Sequence, residues 1–281
     1  MSAGACPGQC YSGPALTIFQ AAVLGLVQGI TEFLPISSTA HLRLVPAILG
    51  WSDGGAAFAA VIQLGTLIAV IGFFLRDLAR MLAALADPAR RRDFDARLLL
   101  YLVAGTIPIG CVGLLARHAV EGPLRSIAVI ACSLVVVAVL MAVVERNARH
   151  QRSFESFTLR DAIIVGLAQT LALIPGASRS GTTLVAAMLL GFRRDAAARF
   201  SFLLSIPAVA AAGIFELPKL LHDREVGTTA LLVGLTTALI SGYLSVAWLL
   251  RFLRTRTTYV FVAYRILLGL GLGLALLAGK L

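Results

Sequence analysis

The sequence predicts an all-α integral membrane protein with six transmembrane helices and two re-entrant helical hairpins in an inverted repeat. The first reason is composition: 59% of the 281 residues are hydrophobic and 14% are charged, and the mean hydropathy is +0.91. Soluble domains average about 45–50% apolar and about 25% charged residues. The lengths of the apolar segments and an internal repeat are the other two reasons.

This composition excludes a soluble enzyme, because a globule of this size could not hide so much apolar surface from water. The net charge of +10 comes from basic residues in short breaks between apolar runs, as in cytoplasmic loops beside anionic lipids. The chain has no basic stripe with interleaved aromatic residues, so no nucleic-acid partner is expected. Cys111 and Cys132 lie inside apolar runs, which predicts buried positions. Residues 1–14, with Cys6 and Cys10, form a tail without the features of a removable signal peptide.

Six predominantly apolar stretches of about 18–22 residues are long enough to cross the hydrocarbon core as helices. They are Phe58–Leu75, Leu98–Ala116, Ile127–Val144, Phe200–Leu217, Thr229–Leu250 and Thr258–Gly279. Two further apolar stretches, Ala15–Gly50 and Asp161–Gly191, are interrupted by polar elbows at 35–39 and 175–181. A half-stretch of about 15 residues forms a helix of only about 22 Å, too short to cross. Each interrupted stretch therefore predicts a hairpin that enters the membrane and leaves on the same side.

The two interrupted stretches resemble each other. The run Gly25-Leu26-Val27-Gln28 aligns with Gly166-Leu167-Ala168-Gln169 at an offset of 141 residues (166 minus 25). With a one-residue slip at the elbow, Pro35 then pairs with Pro175 and Ser38 with Ser178. Broken segments in corresponding positions of two halves indicate an intramembrane site. We therefore expect one polytopic domain with a first half at 15–145 and a second half at 160–281.

Arginine counts predict the orientation, because short cytoplasmic loops carry an excess of Lys and Arg. The loops at 76–97, 146–160 and 251–256 are rich in arginine, whereas those at 117–125 and 219–227 are poorer. Placing the rich loops inside puts both termini outside. The first hairpin then enters from the outer face and the second from the inner face, which is the opposition that an inverted repeat requires.

The first elbow carries a run of polar side chains: Gln28, Glu32, Ser37, Ser38, Thr39 and His41. Gln28 and Glu32 are four residues apart and share one helix face. A hydroxyl residue after Pro35 can cap the next half-helix, with His41 one turn after Ser38. An intramembrane carboxylate is costly and by default marks a functional site, so this elbow is a candidate site.

The second elbow has the composition of an anion site, with Ser178, Arg179, Ser180, Gly181 and Thr183 in sequence. Free N–H groups at a helix N-terminus, hydroxyl donors and an arginine fork together bind anions, and phosphate is the natural occupant. Two elbows that meet near the midplane would bind and hydrolyse a phosphoanhydride carried by a lipid. These residues alone identify neither the lipid nor hydrolysis rather than transport.

At these residues the chain resembles the undecaprenyl-diphosphate phosphatases of the BacA-type bacitracin-resistance family. Segment 28–41 is similar to the first signature of the family, and segment 175–183 is similar to the second, Pro-Gly-x-Ser-Arg-Ser-Gly-x-Thr. The resemblance covers nearly the whole chain. It implies a multi-pass enzyme of the bacterial plasma (inner) membrane with an outward-facing site. The implied reaction converts undecaprenyl diphosphate to undecaprenyl phosphate and inorganic phosphate, which recycles the carrier lipid for peptidoglycan and other wall polymers and confers bacitracin resistance.

The resemblance also implies roles for the residues that match these signatures. The catalytic residues would be Glu32, Ser38, His41 and Arg179. Substrate or phosphate binding would involve Gln28, Ser37, Thr39, Ser178, Ser180, Gly181 and Thr183. The implied cofactor is a divalent cation, Mg²⁺ or Ca²⁺, with Glu32 and Gln28 as candidate ligands. Gln28 stands where many relatives have Glu, so activity or metal affinity is expected to be lower if the metal or the base needs both carboxylates. Ala40 replaces a Gly that is common before the His.

Several alternatives stay open at this point. Either Ser38 attacks phosphorus while His41 or Glu32 takes its proton, or Glu32 activates a water directly or through a metal. An inverted repeat with broken helices is also the plan of lipid flippases and secondary transporters. Arg265, in the last span, either lines the cavity or reaches for the headgroups. The sequence leaves the oligomeric state undecided, a homodimer included.

Overall fold

A computed structural model describes residues 16–51, 54–116, 124, 126–222 and 227–279. Within these ranges the chain folds into eleven α-helices and two short 3₁₀ helices, Phe154–Ser156 and Thr170–Leu173. The α-helices are α1 Ile18–Phe33, α2 Ser38–Leu49, α3 Gly55–Phe73, α4 Leu75–Ala86, α5 Phe94–Leu115, α6 Ile127–Asn147, α7 Leu159–Gln169, α8 Arg179–Leu189, α9 Arg194–His222, α10 Thr228–Leu253 and α11 Tyr259–Leu277. The predicted tail, 1–14, lies outside the described residues, as do most of the loop at 117–125 and residues 223–226 of the loop at 219–227.

The helices confirm an all-α membrane protein. Five helices are long and apolar enough to cross a membrane (α5, α6, the 194–213 part of α9, α10 and α11), and the bent pair α3 and α4 gives a sixth span if it is counted as one. These segments overlap the six predicted spans. Their outward faces are apolar, with Leu115 and Leu277 each 87% exposed, as expected of helices surrounded by lipid.

Two predictions about the apolar and arginine-rich segments were wrong. Residues 76–86 were expected in a loop but form α4, which turns 68° from α3 and buries Met81 and Ala84 on one face. Its arginines alternate with apolar residues at helical spacing, so a high charge content did not mean a loop. Cys111 and Cys132 are exposed rather than buried, because an apolar side chain of a membrane helix can face lipid as well as the protein interior.

Both interrupted stretches are broken at the predicted elbows. Ser37 is the N-cap of α2 with φ 75°, and Ser178 is the N-cap of α8 with φ 71°. These two residues are 141 positions apart, the same offset as between Gly25 and Gly166. The backbone therefore pairs Ser37 with Ser178, and the sequence-based pairing of Ser38 with Ser178 was wrong by one residue.

Equivalent helices of the two halves make equivalent contacts. Helix α1 packs along α10 and α7 packs along α5, while α6 packs against α11 and α3 against α9. The first two contacts depend on glycines. A Cβ at Gly25 would collide with the carbonyl of Gly234 in α10, and a Cβ at Gly166 would collide with the carbonyl of Gly105 in α5. Small residues that allow two backbones to approach are typical of helix contacts in membranes.

We expect the substitution Gly166→Ala to separate α5 from α7 and to lower the stability of the purified protein. The free-energy cost is about 1–3 kcal/mol, the usual range for overpacking a tight contact. The matched control is Gly110→Ala, in α5, where a Cβ would meet nothing within 4 Å. Thermal unfolding in detergent checks this, and equal melting temperatures for the two variants would contradict the close approach.

Candidate active site

The two elbows lie against each other and are joined by hydrogen bonds between them. The backbone N–H of Gly176 donates to Thr39 Oγ1 at 3.3 Å, and Ser180 Oγ donates to the carbonyl of Leu34 at 3.1 Å. Thr39 and Ser180 are themselves 141 residues apart, so each elbow uses an equivalent hydroxyl to hold the other. The polar residues of the two hairpins are thereby brought to one place.

Glu32 stands at the centre of this arrangement. Its Oε1 accepts a hydrogen bond from Arg179 Nη2 across the two elbows. Its Oε2 accepts from Ser38 Oγ at 2.7 Å and from Gln28 Nε2 at 3.0 Å. The side chains of Glu32 and Arg179 are 7% and 15% exposed. One carboxylate thus connects a hydroxyl, an amide and a guanidinium group in a nearly dry environment.

The hydrogen bond from Ser38 to Glu32 has the arrangement of a hydroxyl nucleophile beside a base. A hydroxyl that donates to a buried carboxylate can pass its proton to that carboxylate as it attacks. The predicted partner His41 makes other contacts. Its Nδ1 lies 2.7 Å from the carbonyl of Ser37, and its Nε2 lies 2.5 Å from the hydroxyl of Tyr264.

The partners of His41 determine which nitrogen carries its proton when the ring is neutral. A carbonyl can only accept, so Nδ1 donates to Ser37, and Nε2 accepts from the Tyr264 hydroxyl. The ring of Tyr264 also stacks on the imidazole, with centroids 5.6 Å apart. Tyr264 is a site residue that the sequence analysis missed. It lies in α11, 223 positions from His41, and its neighbourhood carries no motif.

Helices α2 and α8 each begin with backbone N–H groups that have no acceptor in the described part of the chain. Ser178 Oγ accepts from the N–H of Gly181 at 3.2 Å, which leaves the backbone N–H groups of Ser178, Arg179 and Ser180 without an acceptor in the described part of the chain. The first residues of α2 likewise keep backbone N–H groups without a described acceptor, because Ser37 caps this helix in the same way. Two helix N-termini with free N–H groups and positive dipole ends form a cradle for an anion.

Some predicted binding residues support the elbows rather than face the cradle. The hydroxyl of Thr183 donates to the carbonyl of Arg179 at 2.7 Å and lies 2.5 Å from Ser201 Oγ, fully buried against α9. Gly181 is buried, and a Cβ there would lie 3.3 Å from that of Ser178. These two residues shape the start of α8.

Arg265 neither lines the cavity nor reaches for the lipid headgroups. Its side chain is fully buried and donates to main-chain carbonyls of both elbows and of α6. The sequence shows an arginine in an apolar span, which marks it as functional, but it does not show which groups that arginine meets.

The donors near Glu32 suit a hard divalent cation that also contacts the substrate. Gln28 Oε1 is buried and has no hydrogen-bond partner among the described residues, and Glu32 supplies carboxylate oxygens beside it. Mg²⁺ commonly binds one or two carboxylates together with substrate phosphates and water. No cluster of three or more His, Cys, Asp or Glu suited to a metal occurs in the ranges described, so substrate and water would have to complete the coordination.

A cavity of about 510 Å³ lies apart from the elbows, where α3, α9 and α10 meet. Phe73, Phe154, Arg199 and Arg251 are among its lining residues. None of the predicted site residues lines this cavity, so the candidate site lies at the elbows and not in the cavity.

The family model described as "Bacitracin resistance protein BacA" matches residues 21–271. The chain is 51% identical over 271 residues to a protein of Myxococcus xanthus named undecaprenyl-diphosphatase, covering 95% of this chain and 91% of that one. Proteins of the same name from Synechococcus elongatus and Thermobifida fusca are 49% and 45% identical. They cover 92% and 91% of this chain, and the matches span 93% and 89% of their own lengths.

Proposed function

The chain belongs to the BacA family of bacitracin resistance proteins, and on that premise we propose how its two elbows carry out the reaction. The protein hydrolyses undecaprenyl diphosphate to undecaprenyl phosphate and inorganic phosphate. This reaction recycles the carrier lipid for peptidoglycan and other wall polymers, and bacitracin resistance follows from it. The names of the relatives support hydrolysis, and nothing favours the flippase or transporter alternative.

The contact of Glu32 with both Ser38 and Arg179 is the observation on which the proposed mechanism rests. The terminal phosphoryl group occupies the cradle at the N-termini of α2 and α8. Arg179 uses one Nη2 donor on Glu32, and its remaining N–H groups are available for phosphate oxygens. Donors that are already in place stabilise the charge that develops as phosphorus is attacked.

In the proposed first step, Ser38 Oγ attacks the terminal phosphorus while Glu32 takes the hydroxyl proton. The bond between phosphorus and the bridging oxygen breaks, undecaprenyl phosphate leaves with that oxygen, and Glu32 releases its proton to the leaving phosphate. In the second step Glu32 takes a proton from water as the water oxygen attacks the phosphoserine. The bond between phosphorus and Ser38 Oγ breaks, Ser38 Oγ takes the proton back from Glu32, and inorganic phosphate leaves. His41, held by Ser37 and Tyr264, keeps the backbone of the first elbow in place.

The alternative route, in which Glu32 activates a water directly, uses the same base and the same cradle. The 2.7 Å contact between Ser38 and Glu32 favours the serine route, because water would have to displace that hydroxyl to reach the same carboxylate oxygen.

A divalent cation, Mg²⁺ or Ca²⁺, is proposed as the cofactor, held by Gln28 Oε1 and Glu32 together with the substrate. When bound, it would neutralise part of the diphosphate charge. Gln28 then orients Glu32 through its Nε2 and offers its Oε1 to the cation.

We also propose the arrangement in the membrane. Helices α1, α2, α7 and α8 have 16, 12, 11 and 11 residues, or about 16–24 Å each at 1.5 Å per residue. Each is too short to cross, which supports two re-entrant hairpins in an inverted repeat. The arginine-rich loops support termini on the outside of the bacterial inner membrane, with the site open to the outer side where the lipid headgroup arrives.

Phosphate release from undecaprenyl diphosphate by the detergent-purified protein tests the function, because transport needs a bilayer. We expect Glu32→Gln to lower turnover about 100-fold or more, the usual effect of removing a general base. Arg179→Lys should lose at least about tenfold, since an ammonium group cannot make the forked contact. The control Arg90→Ala, in an exposed loop, should stay within about twofold of wild type. A defective Arg90→Ala protein beside a normal Arg179→Lys protein would show that the site has been misplaced.

Trapping tests the nucleophile. Substrate labelled with ³²P in its terminal phosphoryl group is mixed with enzyme and quenched in acid, and label on the protein is measured. We expect label on wild type and on Ser205→Ala, whose hydroxyl is buried in α9 and donates to the carbonyl of Phe202, and none on Ser38→Ala. Label that persists in Ser38→Ala, or full turnover by that variant, excludes Ser38 as the nucleophile.

Replacing the amide at position 28 tests the cation site. Gln28→Glu adds a second carboxylate beside Glu32, so we expect the Mg²⁺ concentration for half-maximal activity to fall by about tenfold, since added ligand charge tightens cation binding. In chelator the same variant should be less active than wild type, because two adjacent carboxylates repel. Gln20→Glu, in the same helix but at its N-terminal cap, is the matched control. An unchanged Mg²⁺ dependence in Gln28→Glu would remove residue 28 from the site.

A further inference from the structure

Arg265 is the largest fully buried side chain of the described residues, and it is held by carbonyl groups. Its guanidinium donates to the carbonyl oxygens of Pro35, Gly176 and Ala177 at 3.1, 3.0 and 3.1 Å. It also donates to Leu134 and Ser133 in α6 at 3.2 and 3.3 Å. No salt bridge joins it to a carboxylate within the described ranges. A buried cation without a carboxylate is costly, so its position needs an explanation.

The carbonyls that Arg265 holds are equivalent in the two halves. Pro35 and Gly176 are 141 residues apart, the offset that also relates the cap residues Ser37 and Ser178. Arg265 contributes Nη1 to the first of these carbonyls and Nη2 to the second. One side chain therefore donates to equivalent carbonyl groups of both elbows and fixes the distance between the elbows.

This grip acts on the backbone just before each helix N-terminus. In a trans peptide the C=O and N–H groups point in opposite directions, and the described chain has no cis peptide. Because Arg265 holds the carbonyl of Ala177, the N–H of Ser178 points away from Arg265. Ser37 and Ser178 also have positive φ angles, which non-glycine residues keep only when the surroundings hold them there.

We propose that Arg265 is a positioning residue of the phosphatase: it clamps both elbows by their carbonyls so that the N-termini of α2 and α8 face one diphosphate. This inference rests on the proposed function. The clamp depends on geometry and not on charge alone. The compact ammonium group of a lysine could not donate to five carbonyl oxygens that surround one planar guanidinium group. All of the hydrogen bonds that Arg265 makes in the described part of the chain go to main-chain carbonyls.

The substitutions Arg265→Lys and Arg265→Met separate geometry from charge. Lysine keeps the positive charge but loses the fork, whereas methionine loses both. Arg194→Met is the control, because Arg194 also holds a buried network, through Glu145 and Thr258, and the hydrogen bonds of that network do not reach either elbow. For each protein we would measure the melting temperature, kcat and KM for phosphate release, and the inhibition constant of inorganic phosphate.

We expect both Arg265 variants to lose kcat by about tenfold to a hundredfold, as when reacting groups are misplaced by about 1 Å. Inorganic phosphate should also inhibit them less strongly, although Glu32, Ser38 and Arg179 are intact. Arg194→Met should melt earlier and keep kcat and phosphate inhibition within about twofold. Wild type that releases no phosphate would instead refute the proposed function, which is a separate result.

Three outcomes would overturn the clamp. An Arg265→Lys protein with nearly normal kcat would show that charge alone is needed. Activity that falls only in proportion to the fraction of unfolded protein, with unchanged phosphate inhibition, would show a purely structural role. Failure of both Arg265 variants to fold, where Arg194→Met folds, would show the same.

Discussion

The need to satisfy every main-chain polar group away from water governs this structure. A helix meets that need by itself, whereas a chain reversal inside the bilayer leaves carbonyl and N–H groups that neighbouring side chains must satisfy. Here the carbonyls of the elbows are satisfied by Arg265 and by the hydroxyls of Ser133 and Ser180. The N–H groups at the starts of α2 and α8 keep no protein acceptor in the described part of the chain. The asymmetry between satisfied carbonyls and free N–H groups makes the elbows receptive to an anion.

The two halves share one backbone arrangement but carry different polar side chains at equivalent positions. Ser38 is the first residue of α2 and Arg179 is the first residue of α8, so equivalent positions carry the proposed nucleophile and the proposed phosphate-binding cation. Glu32 corresponds by offset to Leu173, so only the first elbow holds a carboxylate. The ion pair between Glu32 and Arg179 joins these different side chains at the contact of the halves. Such a pair pays a desolvation penalty, so its burial alone does not stabilise the fold, which agrees with the catalytic role proposed for it.

The sequence predicted those features that depend on local pattern. Hydropathy located the spans, and the interruptions at Pro35 and Pro175 located both elbows, because breaks in an apolar helix are local signals. The wrong predictions depended on packing. The exposure of Cys111 follows from which helix face meets lipid, and the pairing of Ser37 with Ser178 follows from backbone angles.

The partners of the site residues were beyond the sequence for the same reason. His41 meets Tyr264, and the carbonyl of Pro35 meets Arg265, both in α11 and more than 220 residues away. Hydropathy does not show which residues of α11 lie beside the first elbow, so neither contact could be predicted. The motif residues that lie within one helical turn of each other, such as Gln28 and Glu32, could be.

One side chain, Arg265, holds both of the equivalent elbows. Helices α6 and α11 occupy corresponding places in the two halves and pack against each other, so a side chain between them lies close to both elbows at once. Helix α11 contributes the guanidinium group, and α6 contributes the carbonyls of Ser133 and Leu134. A second arginine in α6 would place two buried cations side by side, where their repulsion is weakly screened. One arginine that donates to equivalent carbonyls of both elbows is therefore sufficient to join them.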